Sequence, residues 1–180
     1  MIYFVTKLNK KFENHYQLRK IYYMLVAVEK FYYSYPYGII EIIIKENYLI
    51  SLKFVNSKSR DSSKNIHAET IKKQLKEYFE GKRKVFDIKI APCGTEFQKK
   101  VWNALLKIPY GCIKSYSEIA NKIGNKNACR AVGNACNKNP IPIIIPCHRV
   151  IAKGNKIGGF AYGKELKENL LKLEKAYKSS

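Results

Sequence analysis

Acidic side chains are scarce in this chain: 14 Asp and Glu stand against 34 Lys and Arg in 180 residues, a formal net charge of +20. That imbalance points to a polyanionic partner, nucleic acid first and an anionic membrane surface second. Long apolar runs are missing too. The longest, residues 39–44 and 141–145, fall far short of the ~20 residues that cross a bilayer, which excludes a spanning helix. The first residues lack the basic segment, apolar stretch and small-residue cleavage site of a secretory signal, so the expected location is the cytoplasm. Paired cysteines are absent as well: the five, at 93, 112, 129, 136 and 147, are odd in number and contain no Cys-x-x-Cys. Neither a disulfide framework nor a zinc ribbon is indicated. No internal repeat or low-complexity tract occurs. What remains, with 46% hydrophobic residues, is enough to bury a core in one ordinary domain or two small ones.

Residues 1–30 carry a weak helical signal at 16–28 and no motif, and read as an unassigned extension. Strand patterns follow at 31–35, 38–45 and 48–55, the last two joined by a turn at Glu46-Asn47, which predicts an antiparallel meander. A polar loop at 57–65 precedes a helical pattern at 66–80, stopped by Gly81. A short strand is expected at 85–90, and Pro92 with Gly94 marks a boundary between a unit at 31–91 and another at 92–180.

Beyond the boundary, Thr95-Glu96-Phe97-Gln98 is a capping box opening a helix from 96 to about 107. Ser115-Tyr116-Ser117-Glu118 is a second one, opening a short helix to about 122. Gly124-Asn125-Lys126 makes a turn, and Asn127 is the expected cap of a third helix reaching 137. Short helix, glycine turn, helix is helix-turn-helix spacing. At 100° per residue the third helix gathers Ala128, Val132, Ala135 and Cys136 on one side and Arg130, Gly133, Asn134 and Asn137 on the other. The second face joins one Arg to small and amide residues that allow close approach to a backbone.

The chemistry concentrates at Pro146-Cys147-His148-Arg149-Val150. An ordinary thiol is mostly neutral at physiological pH, so reactivity requires a base or a positive potential nearby, and His148 and Arg149 supply either. Cys93, Cys112, Cys129 and Cys136 read instead as inert small hydrophobes. The run 141–145 ahead of the motif reads as buried and extended.

These residues resemble a known family. Pro146-Cys147-His148-Arg149-Val150, preceded by Asn139-Pro140-Ile141-Pro142 and by Arg130-Ala131-Val132-Gly133, is similar to the signature of the O6-alkylguanine-DNA alkyltransferases. Gly94-Thr95, Phe97-Gln98, Val101-Trp102, Ile108-Pro109-Tyr110-Gly111, Ser115-Tyr116 and Leu170-Leu171-Lys172-Leu173-Glu174 match as well. The likeness is close over about 90–176 and covers 31–90 only in its order of strands and helix. It implies an α/β fold: an N-terminal antiparallel sheet with helix, ribonuclease-H-like, and a C-terminal, mostly helical, winged-helix-like domain bearing the helix-turn-helix.

The resemblance also implies an irreversible, stoichiometric transfer of an alkyl group from guanine O6, and from thymine O4, in double-stranded DNA to the protein, with no cofactor and with the protein acting as a monomer. Carried over residue by residue, Cys147 is the acceptor, His148 acts as base through a water, and Glu174 orients the histidine. Tyr116 donates to the guanine ring, and Asn139 is a hinge between the recognition helix and the active-site segment. Arg130 fills the stack when the base is extruded through the minor groove, with Ala131, Gly133 and Asn134 allowing the helix to approach. Pro142 and Phe160 wall the pocket, the Val150 carbonyl accepts from the guanine amine, and Ala161 offers a backbone amide to O6.

This chain departs from the pattern at Phe160-Ala161, where the family often has Tyr-Ser, so the wall stays aromatic but two hydroxyls are lost. Metal ligands carried by some members are not evident, since His15 and His67 lack cysteine partners at ligand spacing, and no metal is expected. Two rival readings are a non-catalytic damage-sensing DNA-binding protein of the same fold, which Cys147 argues against, and a thiol hydrolase, for which no oxyanion hole is apparent.

Overall fold

The computed structural model describes residues 28–62 and 64–176. The helical signal at 16–28 lies outside the described residues except for its last position, and so does His15. Among the described residues no helix is long and apolar enough to cross a membrane.

The first half is a meander of β1 (Glu29–Tyr35), β2 (Gly38–Lys45) and β3 (Tyr48–Val55), antiparallel in the order β1-β2-β3. Alternation makes it one-sided: Ile40, Ile42 and Ile44 of β2 are fully buried, while Ile39, Glu41 and Ile43 face the other way and are partly exposed. Glu46 and Asn47 both adopt positive φ, 47° and 68°, the two-residue turn whose twist suits a hairpin. The loop 57–62 covers the free edge of β1, because Ser62 N donates to Lys30 O and Asp61 Oδ1 accepts from Tyr32 N. Helix α1 (Ile66–Phe79), capped by the Asn65 side chain, lays Ala68, Ile71, Leu75 and Tyr78 into the core.

Expectation and structure part at 85–90. Only Ile90 bridges to Leu49, in parallel, because the backbone of Asp87 is claimed by a side chain: Gln74 Nε2 donates to Asp87 O and Asp87 N donates to Gln74 Oε1, both at 2.9 Å. A segment whose backbone groups are satisfied this way has no need of a ladder.

In the second half, α2 (Glu96–Leu105) begins with the expected reciprocal capping box at Thr95 and Gln98. Trp102 on this helix is buried and donates its indole N–H to Ala135 O at 2.9 Å. Gly94 makes room for that ring, since a Cβ there would stand 2.4 Å from it. A two-residue β4 (Lys114–Ser115) leads into α3 (Tyr116–Lys122), opened by the second capping box at Ser115 and Glu118. The third helix, α4 (Cys129–Asn137), starts later than the sequence suggested: Ala128 occupies the cap position and no side chain caps it. Ala128 N is already spent on Asn125 O in the preceding turn, and Asn127 stays exposed. The stripe of Ala128, Val132, Ala135 and Cys136 is buried as expected.

Residues 141–145 are buried but form turns rather than a strand. Ile145 N closes on Ile141 O at 2.9 Å, and Cys147 N closes on Ile145 O at 2.8 Å across Pro146, whose φ of −83° and ψ of 63° make an inverse γ-turn. An apolar run cannot reveal by itself that it folds back on itself. β5 (Val150–Ile151) pairs in parallel with β4, and α5 (Lys164–Ala176) is the last described element.

Candidate active site

Cys147 begins a single 3₁₀ turn, Cys147–Arg149, in which all three side chains are buried. The turn is set by the loop before it. Asn139, at the end of α4, uses one amide for three tasks: Nδ2 donates to Ile145 O at 2.7 Å and to Cys147 Sγ at 3.0 Å, and Oδ1 accepts from Ile141 N at 3.0 Å. Within this closed loop Ile143 sits at φ 73°, a left-handed conformation that costs a β-branched residue about 1–3 kcal/mol and persists only where its surroundings hold it. The sheet adds one such restraint, because Leu52 N of β3 donates to Pro140 O at 2.8 Å.

His148 is fully buried, and its Nε2 lies 2.8 Å from Glu174 Oε1. An ionised carboxylate only accepts, so Nε2 carries the proton and Nδ1 is the basic nitrogen. Nδ1 is buried and has no hydrogen-bond partner among the described residues. Glu174 is itself 1% exposed. Its carboxylate also accepts from Tyr78 Oη at 2.8 Å, from Gly111 N at 3.0 Å, and from Arg149, whose Nε and Nη2 reach it at 3.0 Å. Arg149 in turn donates Nη1 to Ile108 O and lies over the Tyr110 ring.

Burial and bonding pull these groups in different directions. Burial pushes the Cys147 thiol up to about 11, although the amide of Asn139 and the charge of Lys167 act to lower it. Burial lowers His148 below its ordinary 6.5 against the pull of Glu174, keeping the imidazole neutral. Burial would raise Glu174, but the donors from His148 and Arg149 prevail and hold it down at about 2. The resting site therefore pairs a neutral thiol with a neutral, oriented base. His148 and Arg149 do not hold a preformed thiolate, which the sequence had left open.

Tyr116 opens α3 beside this turn, half-buried, with a hydroxyl raised to about 12 by burial and by the neighbouring Cys136 and Cys147 thiols. Its ring packs close to Gly158 and Gly133: a Cβ on either would stand 3.5 Å or 3.8 Å from it. Pro142 and Val150 are buried, and Phe160 is partly so. Phe160 leans on Tyr162, which meets Phe54 of β3 edge-on at 4.7 Å. Phe160 is thus braced from the N-terminal sheet through Tyr162. Arg130, Ala131 and Asn134 are exposed on the outer face of α4, Gly133 is intermediate, and Ala161 is exposed.

The sequence reading was incomplete at three residues around the turn. Tyr78 and Arg149 were not connected with Glu174, and Lys167 was not singled out at all. Lys167 is 0% exposed and donates to Val150 O at 2.6 Å and Gly159 O at 3.1 Å. A signal existed: Lys167, Leu170 and Glu174 are spaced three and four apart, one face of a helix that carries a cation and an anion on either side of a leucine. Among the described residues no group of three His, Cys, Asp or Glu side chains is placed to hold a metal ion.

The fold and site thus combine a buried Cys147, a His148–Glu174 pair and an adjoining helix-turn-helix with an exposed arginine. Comparison with known proteins gives the family. Residues 28–92 match the ribonuclease-like domain of 6-O-methylguanine DNA methyltransferase, and residues 96–176 match its DNA binding domain. The chain belongs to the methylated-DNA–protein-cysteine methyltransferase family. A Methanosarcina barkeri protein of that name is 49% identical over 146 residues, 77% of this chain and 92% of its own. The M. acetivorans protein is 61% identical over 102 residues, 57% of this chain and 65% of its own length, so the chain spans about two-thirds of that relative. The crystal structure of Mycobacterium tuberculosis O6-methylguanine methyltransferase superposes with a TM-score of 0.77 at 37% identity, covering 84% of this chain and 94% of that one. A crystal structure of the same organism's protein in complex with DNA superposes at 0.73 and 40% identity, over 81% and 92%.

Proposed function

We propose that this protein repairs alkylated DNA by direct reversal, moving the alkyl group of O6-alkylguanine, and of O4-alkylthymine, from duplex DNA onto Cys147 in a single irreversible turnover. The observation that carries this reading is a buried histidine next to Cys147 in one turn, with one nitrogen fixed by Glu174 and the other, Nδ1, without a hydrogen-bond partner among the described residues.

The thiol proton passes to Nδ1 of His148 through a water as Cys147 Sγ attacks the alkyl carbon. The new S–C bond forms as the C–O6 bond breaks, and the bonding electrons leave on O6. Guanine regains a ring proton, so the thiol's proton ends on the base. Glu174 stabilises the imidazolium that forms in between. A thiol held at about 11 suits this order of events, since the proton leaves only when an electrophile is in place. Tyr116 donates to the leaving base. Asn139 steadies the sulfur, Pro142 and Phe160 enclose the ring, the Val150 carbonyl takes the exocyclic amine, and the Ala161 amide faces O6.

Arg130 enters the vacated stack from α4, with Ala131, Gly133 and Asn134 keeping that face low enough for the minor groove. The net charge of +20 supports DNA as partner. The protein acts as a cytoplasmic monomer on nucleoid DNA, without a cofactor. Intact mass after incubation with duplex DNA containing O6-methylguanine tests this: one methyl per protein, mapped to Cys147, is expected. More than one methyl, none, or a methyl on another cysteine overturns it.

A further inference from the structure

The N-terminal sheet has two edges, and they are treated differently. Along β1 the loop 57–62 supplies partners, as Ser62 N donates to Lys30 O and Asp61 Oδ1 accepts from Tyr32 N. At the other edge residues 86–91 follow β3. Leu49 N donates to Lys89 O, Ala91 N donates to Leu49 O, and Gln74 takes both backbone groups of Asp87. In an extended chain alternate residues present their N–H and C=O to the same side. Residues 87, 89 and 91 therefore face the N-terminal unit, and the backbone groups of Phe86, Ile88 and Ile90 face away from it. None of those three makes a backbone hydrogen bond among the described residues. Side-chain burial alternates in step: Phe86, Ile88 and Ile90 are half-buried, and Asp87 and Lys89 are exposed.

An open edge of this kind is a template on which a further strand adds. Beside it lies a groove of about 500 Å³. Its lining joins Val85 and Leu106, large apolar side chains 77% and 43% exposed, to the buried Ile108, Ile143 and Ile144. Lys84 and Lys107 also line it and are exposed, while the charge of Arg149 is matched by Glu174. No carboxylate is among the described residues that line it.

We propose that this edge is a docking site for an acidic, extended segment of a partner protein, which adds as a strand along Phe86, Ile88 and Ile90 and sets alternate apolar side chains into the groove. Backbone bonds supply the register, the period of two supplies the apolar fit, and the lysines favour acidic residues in between. Charge decides the occupant. A second copy of the chain, at a net charge of +20, would bring the same lysines to the same edge. Residues 1–27 carry Lys7, Lys10, Lys11, Arg19 and Lys20 against Glu13 alone. Neither complements a cationic groove. Arg130, Ala131, Gly133 and Asn134 line no part of it, so duplex DNA and the partner use different residues.

The test uses the full chain, labelled with 15N, and a synthetic peptide in which Asp or Glu alternates with Ile, Val and Phe. In the free protein the amides of Phe86 and Ile88 should exchange with solvent unprotected. The peptide should shift both and slow their exchange by about tenfold or more. A peptide of the same composition with its apolar residues in one block should bind about tenfold more weakly, and so should the alternating peptide with Lys84→Glu/Lys107→Glu, a variant altered only at exposed positions. Three results overturn the proposal. Amides already protected in the free chain would mean that residues 1–27 or a second copy cover the edge. Equal binding of the two peptides would reduce the interaction to attraction by the net charge. A titration that leaves Phe86 and Ile88 unmoved would place no strand here. Each readout is independent of alkyl transfer, so failure of the alkyl-transfer reading leaves the outcome standing.

Discussion

Tyr78, near the end of the first-half helix, donates its hydroxyl to Oε1 of Glu174 at 2.8 Å, the same oxygen that takes the His148 ring. The two residues are 96 positions apart and both are buried. The N-terminal half therefore supplies part of the setting of the histidine, as well as restraining Pro140 and bracing Tyr162.

Tyr78→Phe removes only that hydroxyl, since the ring keeps its place among Phe79, Phe86 and Tyr110. Alkyl transfer should slow by roughly tenfold, the scale of one hydrogen bond to a charged group, with DNA affinity unchanged. Single-turnover kinetics at saturating protein measures this. A rate equal to the parent's would show that Arg149 and Gly111 fix Glu174 unaided.

How much of this was legible depended on whether the decisive neighbours lie close in sequence. Cys147 and His148 stand in one contiguous motif, and the capping boxes at Thr95 and Ser115 bond within three residues, so both were readable. Glu174 could be identified only through the family resemblance, because nothing local separates it from a solvated glutamate. Tyr78 and Lys167, and the bond of Arg149 to Glu174, were missed for the same reason: whether a charged or phenolic group is buried depends on residues tens of positions away. The errors at 85–90 and 141–145 share a cause as well. Apolar content signals burial, but the claim of Gln74 on Asp87 and of Asn139 on Ile145 decides against a ladder.

Glu174→Gln should slow alkyl transfer by roughly 10²-fold or more, since a neutral amide stabilises the imidazolium poorly. It also leaves the buried Arg149 guanidinium without its carboxylate, at a cost of about 3–5 kcal/mol. The rate must therefore be read well below the lowered melting temperature. A folded variant that transfers methyl at the parental rate would return Glu174 to a purely structural place.

The same groups set the acid stability. Both His148 and Glu174 have folded values below their unfolded ones, 6.5 and 4.5, with Glu174 at about 2. In each case the unfolded chain binds protons more readily, so the stabilisation is complete above pH 6.5 and is lost as pH falls. His148 should account for the first decline below pH 6.5 and Glu174 for a second between about 4.5 and 2. Denaturant unfolding from pH 8 to 3 should show stability falling in that order, and in His148→Gln the first decline should vanish. A stability flat to pH 4 would contradict the assignment.

Arg130 is exposed on the outer face of its helix, so Arg130→Ala should leave the thiol chemistry alone. Methyl transfer from duplex DNA should fall by roughly tenfold or more, while reaction with free benzylated guanine stays within about twofold. Equal losses on both substrates would place Arg130 in the chemistry or the fold. Duplex binding by the parent should also weaken steeply with salt as phosphate counterions are released.

Asn139 allows a test in which two substitutions must differ. Its Oδ1 accepts from Ile141 N, and its Nδ2 donates to both Ile145 O and the sulfur. Asn139→Ala deletes all three bonds, leaving buried backbone groups unpaired and Ile143 less firmly held at its positive φ, a loss of about 2–4 kcal/mol. Asn139→Asp keeps the acceptor for Ile141 but turns the donor into a second oxygen, facing a carbonyl and a sulfur that must become negative. If the amide serves only to close the loop, Asp should be the milder change in both stability and rate. If it also steadies the thiolate, Asp should be the slower of the two at pH 7, because a carboxylate repels the charge that alanine merely leaves unsupported. We expect the second pattern: Asp slower than Ala in methyl transfer and in iodoacetamide alkylation, by about tenfold. An Asp variant faster than Ala in both assays would confine Asn139 to holding the loop.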